Sequence, residues 1–73
     1  MELQVGMHVR DNDPRSTHRG LYQVREIDTS YRKGMKVAVL YTLGNNPLRT
    51  VVAVKNIHMD GKPRRTGWSI THD

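Results

Sequence analysis

The sequence predicts a small all-β domain in which five short strands curl into a barrel. The chain has 73 residues, which is the length of one small domain. Apolar and polar residues alternate in several short segments, and this period of two is typical of strands with one buried face. Clusters of turn-forming residues separate these segments, whereas no segment repeats its apolar residues with helical spacing.

The first predicted strand covers residues 5–10, where apolar residues alternate with others. Residues 11–20 follow it and form a polar run dominated by turn formers. Pro14 fixes its own φ angle and disfavours a helical conformation at Asp13. We therefore expect a long loop here, in which Asp11 and Asp13 have a structural role, pairing with nearby arginines or capping turns.

Residues 20–28 predict the second strand. Val24 and Ile27 are three residues apart, so a regular strand would place their side chains on opposite faces. A β-bulge near Arg25 and Glu26 would return both side chains to one face and would bend the strand. Such a bend suits the curvature that a small barrel requires.

The third predicted strand is the most regular of the five. Residues 29–34 are polar and end in a glycine, so they predict a connecting loop. Residues 35–43 then alternate cleanly. We expect four side chains of this strand to share one face, namely Met35, Val37, Val39 and Tyr41. We also expect Tyr41, and Tyr22 on the second strand, to pack inward.

Residues 44–47 form a turn cluster of Gly, Asn and Pro, which predicts a tight connection to the fourth strand, residues 48–54. Either face of that strand could be buried. We prefer the arrangement in which Arg49 and Val51 face outward and the alternate residues face the core, namely Thr50, Val52 and Val54.

The last third of the chain predicts a 3₁₀ turn, a loop and a closing strand. Residues 55–59 are too few for an independent α-helix and predict one 3₁₀ turn, with Ile57 beneath the barrel and Lys55 exposed. Residues 60–67 are polar and predict a second long loop. Residues 68–70 predict the final strand, with its aromatic and aliphatic residues on one face.

Five strands, a long first loop and a 3₁₀ turn before the last strand together describe an SH3-like barrel. Closing the sheet into a barrel also removes the unpaired edges of a five-stranded sheet. The alternative is an OB-fold. That fold needs a helix between its third and fourth strands, and residues 44–47 are too few to form one.

Residues 5–9 followed by residues 20–27 resemble the KOW half-barrel of transcription and ribosomal proteins, a strand beginning at a glycine, a polar loop and a second Gly-initiated strand. Through residues 9–15 and 60–67 the whole chain is similar to small phage-encoded KOW-like proteins. The resemblance implies an SH3-like barrel and, for a phage protein, a location in the host cytoplasm. The first loop departs from the KOW pattern, because acids and a proline stand where further glycines are usual.

The charge of the chain favours a polyanionic partner. Lys and Arg number 12 against 7 Asp and Glu, for a net charge of +5. The excess lies in residues 32–73, which carry eight basic and two acidic residues, against four basic and five acidic in residues 1–31. A small basic domain of this kind favours nucleic acid, either RNA or DNA.

Three groups of residues are candidates for nucleic-acid contact. Pro63 stiffens the basic segment of the second loop, and Tyr31 stands beside two cations as a base-stacking residue would. A barrel would bring the basic residues of the two long loops to one side of the domain, together with Lys55 and His58. These loop residues are Arg15, Arg19, Arg64 and Arg65. The expected binding residues are Arg15, Arg19, Tyr31, Arg32, Lys33, Lys55, Lys62, Arg64 and Arg65.

The same cations would also suit a protein-interaction module that docks on an acidic surface of a partner, host or otherwise. An enzyme is disfavoured. The absence of Cys excludes thiolate zinc sites and Cys nucleophiles, and Asp11 and Asp13 lack further convergent ligands for a metal. We therefore expect no catalytic residue, metal or cofactor. No apolar segment is long enough to span a membrane, so we expect a cytoplasmic protein.

Overall fold

The computed structural model describes residues 2–15 and 20–71, and for Tyr31 and Arg32 it describes the backbone alone. These residues form one sheet of six strands in the order β4-β3-β2-β1-β6-β5, antiparallel except for the parallel pair β5–β6. The all-β prediction is confirmed. In residues 2–15 and 20–71 no helix is long and apolar enough to cross a membrane. The elements are β1 (His8–Asp11), β2 (Gly20–Arg32), β3 (Met35–Thr42), β4 (Arg49–Ala53), a 3₁₀ turn (Val54–Asn56), β5 (Ile57–His58) and β6 (Trp68–Ile70).

The sheet is strongly curled, as shown by the contribution of both of its edge strands to one core. Val52 on the edge strand β4 and Ile57 on the opposite edge strand β5 belong to the same cluster of buried side chains. Leu40 in β3 is fully buried within that cluster. Trp68 packs against it, with its ring centroid 5.0 Å from that of Tyr22 and the two planes at 75°. The predicted packing roles of Trp68 and Tyr22 are confirmed.

The predicted bulge in β2 is confirmed. The pairing between β2 and β3 shifts by one residue between Val24 and Glu26. The shift returns Ile27 to the core face, where it packs against the cluster that contains Val24. A bulge also bends its strand, so β2 can extend over 13 residues and still follow the curled sheet.

The predicted loop at residues 29–34 is wrong, because β2 continues through Arg32 and only residues 33–34 form the turn. The carboxylate of Asp28 accepts hydrogen bonds from the backbone N–H of Ser30 (2.8 Å) and from its hydroxyl (2.7 Å). The pairing of β2 with β3 has a second irregularity between Asp28 and Arg32, and these bonds satisfy the polar groups of Ser30 there. The polar residues after Asp28 therefore remain part of the β2–β3 hairpin. Tyr31 therefore lies in a strand and not in a loop.

The first strand begins later than predicted. Gly6 has a φ of +97°, a left-handed conformation that favours glycine, and it forms a turn before β1 begins at His8. Its N–H donates to the carbonyl oxygen of Val24, which anchors this turn to β2. The turn also brings Leu3 into the core, where it is 5% exposed. The alternation of apolar residues in 5–10 does not predict the burial of Leu3, which precedes that segment.

The predicted inner face of β3 is wrong. Ala38 and Leu40 belong to the core cluster, so Met35, Val37, Val39 and Tyr41 lie on the opposite face. Tyr41 is half-buried there, with the guanidinium of Arg25 5.4 Å from its ring centroid. Both faces of the middle of β3 are buried, and alternation cannot tell which of two apolar faces meets the core. On β4 the prediction is confirmed, since Val52 is in the core and Arg49 is exposed.

Residues 2–15 and 20–71 form a sheet of six strands, whereas the sequence predicts five. The 3₁₀ turn is present but ends at Asn56, and the next two residues form β5, which pairs in parallel with β6. Parallel neighbours require a connection that crosses over the sheet, and residues 59–67 provide it. Ile57 is 4% exposed and Lys55 is exposed, as predicted.

Candidate functional site

The crossover of residues 59–67 forms one wall of a polar cleft on the outer side of β1 and β6. The cleft has a volume of about 440 Å³. A neighbouring depression of about 380 Å³ shares Arg10, Asn12 and Arg64 with it and extends toward Gly20. We call the two together the Arg10 cleft. The polar side chains that line the larger part are Arg10, Asn12, Lys62, Arg64, Ser69 and Thr71.

Strand alternation places Arg10 in this cleft. Val9 is fully buried in the core, so the next residue of β1 must face the other side of the sheet. Arg10 pairs in register with Leu21 on β2 and with Ser69 on β6. Its guanidinium is therefore carried by a strand that has a neighbour on each side.

Hydrogen bonds fix the neutral polar residues of the cleft. The side-chain amide of Asn12 donates to the hydroxyl of Ser69 (2.8 Å), and the backbone N–H of Asn12 donates to the carbonyl of Gly67 (2.9 Å). The backbone N–H and the hydroxyl of Thr71 both donate to the carbonyl of His8, at 3.0 and 3.3 Å. Ser69 is only 7% exposed. These bonds connect β1, β6 and the crossover, so the floor of the cleft is held in one arrangement.

Asp60 organises the crossover. Its carboxylate accepts hydrogen bonds from the backbone N–H of Lys62 (3.0 Å) and from the guanidinium of Arg64 (2.6 Å). The backbone N–H of Lys62 is the main cause that lowers the pKa of Asp60, and the Arg64 guanidinium adds to it. Both side chains of the ion pair are 39% exposed, so the pair contributes little to stability. The pair directs Arg64 and leaves its other N–H groups available to a ligand.

The acids of the first loop have the structural role that the sequence predicts. The carboxylate of Asp11 accepts from the backbone N–H of Asp13 (3.1 Å). Asp13 in turn accepts from the backbone N–H of Arg15 (2.9 Å) and pairs with its guanidinium (3.3 Å). These two bonds lower the pKa of Asp13, the backbone bond more than the side-chain bond. In the part of the chain that the structure describes, no three His, Cys, Asp or Glu side chains are grouped to hold a metal ion.

Lys55 lies in a different cleft from Arg64. This second cleft has a volume of about 350 Å³ and lies between the β2–β3 turn and the 3₁₀ turn, with a mainly apolar lining. We call it the Lys55 cleft. It is lined by Gly34, Met35, Lys36, Val54 and Lys55.

The nine predicted binding residues therefore do not form one site. Lys62 and Arg64 share the Arg10 cleft, whereas Lys33 lies in the turn next to the Lys55 cleft. Arg15 is 85% exposed and pairs within its own loop, and Arg65 is exposed without lining either cleft. Arg19 and the side chains of Tyr31 and Arg32 lie outside the described residues.

The prediction from sequence missed four residues of the Arg10 cleft. Alternation in β1 was a usable signal for Arg10, because Val9 is apolar and Arg10 must then face outward. Asn12, Ser69 and Thr71 meet through the pairing of β1 with β6, the first and last strands. A pairing so distant in sequence leaves no local signal.

No protein-family model, curated protein sequence or solved structure matches the chain. The resemblance of residues 5–27 to KOW proteins therefore remains an interpretation of the sequence.

Proposed function

We propose that this protein is a non-catalytic nucleic-acid-binding domain that holds phosphates in the Arg10 cleft. One observation carries the proposal: β1 and the crossover bring three cations, Arg10, Lys62 and Arg64, to one cleft with a polar floor. Phosphate and sugar oxygens are contacted in proteins by Arg and Lys together with Ser, Thr and Asn, which is the composition of this cleft.

The charges in the cleft support a phosphate ligand. Asp60 already holds the Arg64 guanidinium at 2.6 Å, in an exposed and therefore weak pair. A phosphate can share this guanidinium, because Arg has more N–H donors than one carboxylate contact uses. Arg10 and Lys62 are exposed cations on two different elements, so a polyanion can contact both at once.

The curled sheet supports an SH3-like barrel of the KOW kind as the scaffold. Both edge strands contribute to one core, and a 3₁₀ turn joins β4 to β5, as the barrel interpretation requires. On the same interpretation the protein acts in the cytoplasm, and in the host cytoplasm if it is phage-encoded, where RNA and DNA are both accessible.

The proposal is tested by the salt dependence of binding. We expect the unmutated protein to bind short single-stranded RNA or duplex DNA with an affinity that falls steeply between about 50 and 200 mM salt. If Arg10 and Lys62 each contact one phosphate, Arg10→Ala with Lys62→Ala should reduce the slope of log K against log[salt] by about 2. All nucleic-acid sequences should weaken alike.

The matched control removes the same charge from another surface, with Arg49→Ala and Lys55→Ala. Both residues are exposed and neither lines the Arg10 cleft. This control should leave the slope almost unchanged. Equal losses in the two double variants would show that the cleft is not the binding site. Absence of binding by the unmutated protein at low salt would refute the proposed function itself.

A further inference from the structure

We propose that the Lys55 cleft is a docking site for an acidic peptide segment of a partner protein, with an apolar side chain inserted between Met35 and Val54. The Lys55 cleft is separate from the Arg10 cleft in residues and in chemistry. The proposal therefore does not depend on nucleic-acid binding.

The floor of the Lys55 cleft suits an apolar anchor. Met35 and Val54 are both partly buried, and Val54 packs against the core, so its position is supported from beneath. Gly34 leaves the end of the cleft open, since a Cβ at that position would meet no atom within 4 Å. A volume of about 350 Å³ accommodates an inserted side chain, and the flexible thioether of Met35 can adapt to its shape.

The rim of the cleft selects a negatively charged partner. Lys36 and Lys55 line it, and Lys33 stands in the adjacent turn. Lys36 already attracts a carboxylate of this chain, with Glu2 at 3.6 Å, and its side chain remains 47% exposed. Among the described residues Lys55 has no carboxylate partner. The cations are thus available to carboxylates that flank an apolar anchor.

A mainly apolar floor distinguishes this ligand from a nucleic acid. Phosphates gain little from Met35 and Val54, because both side chains lack hydrogen-bond donors. Burying an apolar side chain of the peptide against Met35 and Val54 is favourable. The carboxylates that flank this side chain then add specificity and a faster association with the lysines of the rim. The Arg10 cleft has the opposite composition, with cations above a polar floor.

The test uses the full chain labelled with ¹⁵N and a synthetic peptide of Asp and Glu residues around a central Leu-Phe pair. We expect the amide signals of the Lys55 cleft residues to shift on titration, and Lys55→Glu to weaken binding about tenfold. Met35→Gln should weaken it several-fold, because it removes the apolar floor at nearly constant size. A peptide with Ser-Ser in place of Leu-Phe should bind much more weakly.

Lys62→Glu is the matched control, since it makes the same charge change in the Arg10 cleft, and it should alter peptide affinity by less than about twofold. Circular dichroism of each variant verifies that the fold is retained. Four results would overturn the inference: no peptide binding, equal binding of the Ser-Ser peptide, equal effects of Lys55→Glu and Lys62→Glu, or RNA or DNA shifting the same amide signals as strongly as the peptide.

Discussion

Four aspartates in this domain make the same local contact, in loops, at the end of β1 and at the second irregularity of β2. The carboxylates of Asp11, Asp13, Asp28 and Asp60 each accept a hydrogen bond from the backbone N–H two residues ahead, at distances of 2.8 to 3.1 Å. This is the Asx-turn geometry, which lets a short acidic side chain replace a backbone acceptor. The acids therefore stabilise the local backbone of loops and of the β2 irregularity, and they also reduce the net positive charge.

Acid should destabilise the protein by protonating these carboxylates. Backbone N–H groups, aided by side-chain donors, lower the pKa of Asp13 and Asp60 from the ordinary value of 3.8, and the Ser30 hydroxyl is the main cause for Asp28. A carboxyl whose folded-state pKa is lowered stabilises the fold above its unfolded pKa and loses that contribution as the pH falls through the folded value. We expect the melting temperature to fall below pH 3.8, and less steeply in Asp60→Asn. Parallel pH profiles for the two proteins would contradict this role of Asp60.

Asn12 should matter more for stability than its position in a loop suggests. Its amide is the donor to the Ser69 hydroxyl, which is 7% exposed. Asn12→Ala leaves that hydroxyl without its donor, so we expect a loss of about 1–3 kcal/mol in the free energy of unfolding by urea. Thr66→Ala, an exposed change in the crossover, should stay within about 0.5 kcal/mol.

A double-mutant cycle isolates the Asn12–Ser69 bond. The variant with both Asn12→Ala and Ser69→Ala should be more stable than the sum of the single losses predicts, because no hydroxyl is then left unpaired. Additive losses would show that the two side chains stabilise the protein independently.

At the scale of the elements, β2 shapes the domain. Its bulge and its second irregularity let one strand of 13 residues pair with β1 at one end and with β3 along most of its length. The short strand β5 acts from the opposite edge. It presents Ile57 to the core and leads into the crossover that carries Lys62 and Arg64.

Ile57→Ala should therefore cost about 2–5 kcal/mol of unfolding free energy, as expected for a buried aliphatic side chain cut back to Ala. Val51→Thr, on the outer face of β4 and only partly buried, should cost less than about 1 kcal/mol. Urea denaturation of both variants measures the difference. A small effect of Ile57→Ala would mean that β5 contributes little to the common core.

At the scale of the whole molecule, the curled sheet should unfold as one unit. Both sheet edges contribute to a single cluster, so the loss of one edge exposes the core beneath the other. We expect the fluorescence of Trp68, which reports on β6, and far-ultraviolet circular dichroism, which reports on the whole sheet, to give the same midpoint and slope in urea. The stability expected for 73 residues is about 4–11 kcal/mol. An earlier fluorescence transition would show that β5 and β6 detach first.

The sequence by itself determined the features that depend on neighbouring residues. Alternation and turn chemistry identified the all-β class, the bulge near Arg25 and the burial of Ile57, because each follows from side chains a few positions apart. The same local logic identified the structural role of Asp13 and the outward position of Arg49.

Only the tertiary structure decided the pairing of distant strands and the choice between two apolar faces. β3 has apolar residues on both faces, and the core position of Leu40 depends on which face the curled sheet encloses. Likewise β5 is a strand only because β6 lies beside it, and the Arg10 cleft exists only because β1 pairs with β6. Lys55 lies apart from Lys62 and Arg64 for the same reason: the fold brings side chains together through contacts between strands that are far apart in sequence.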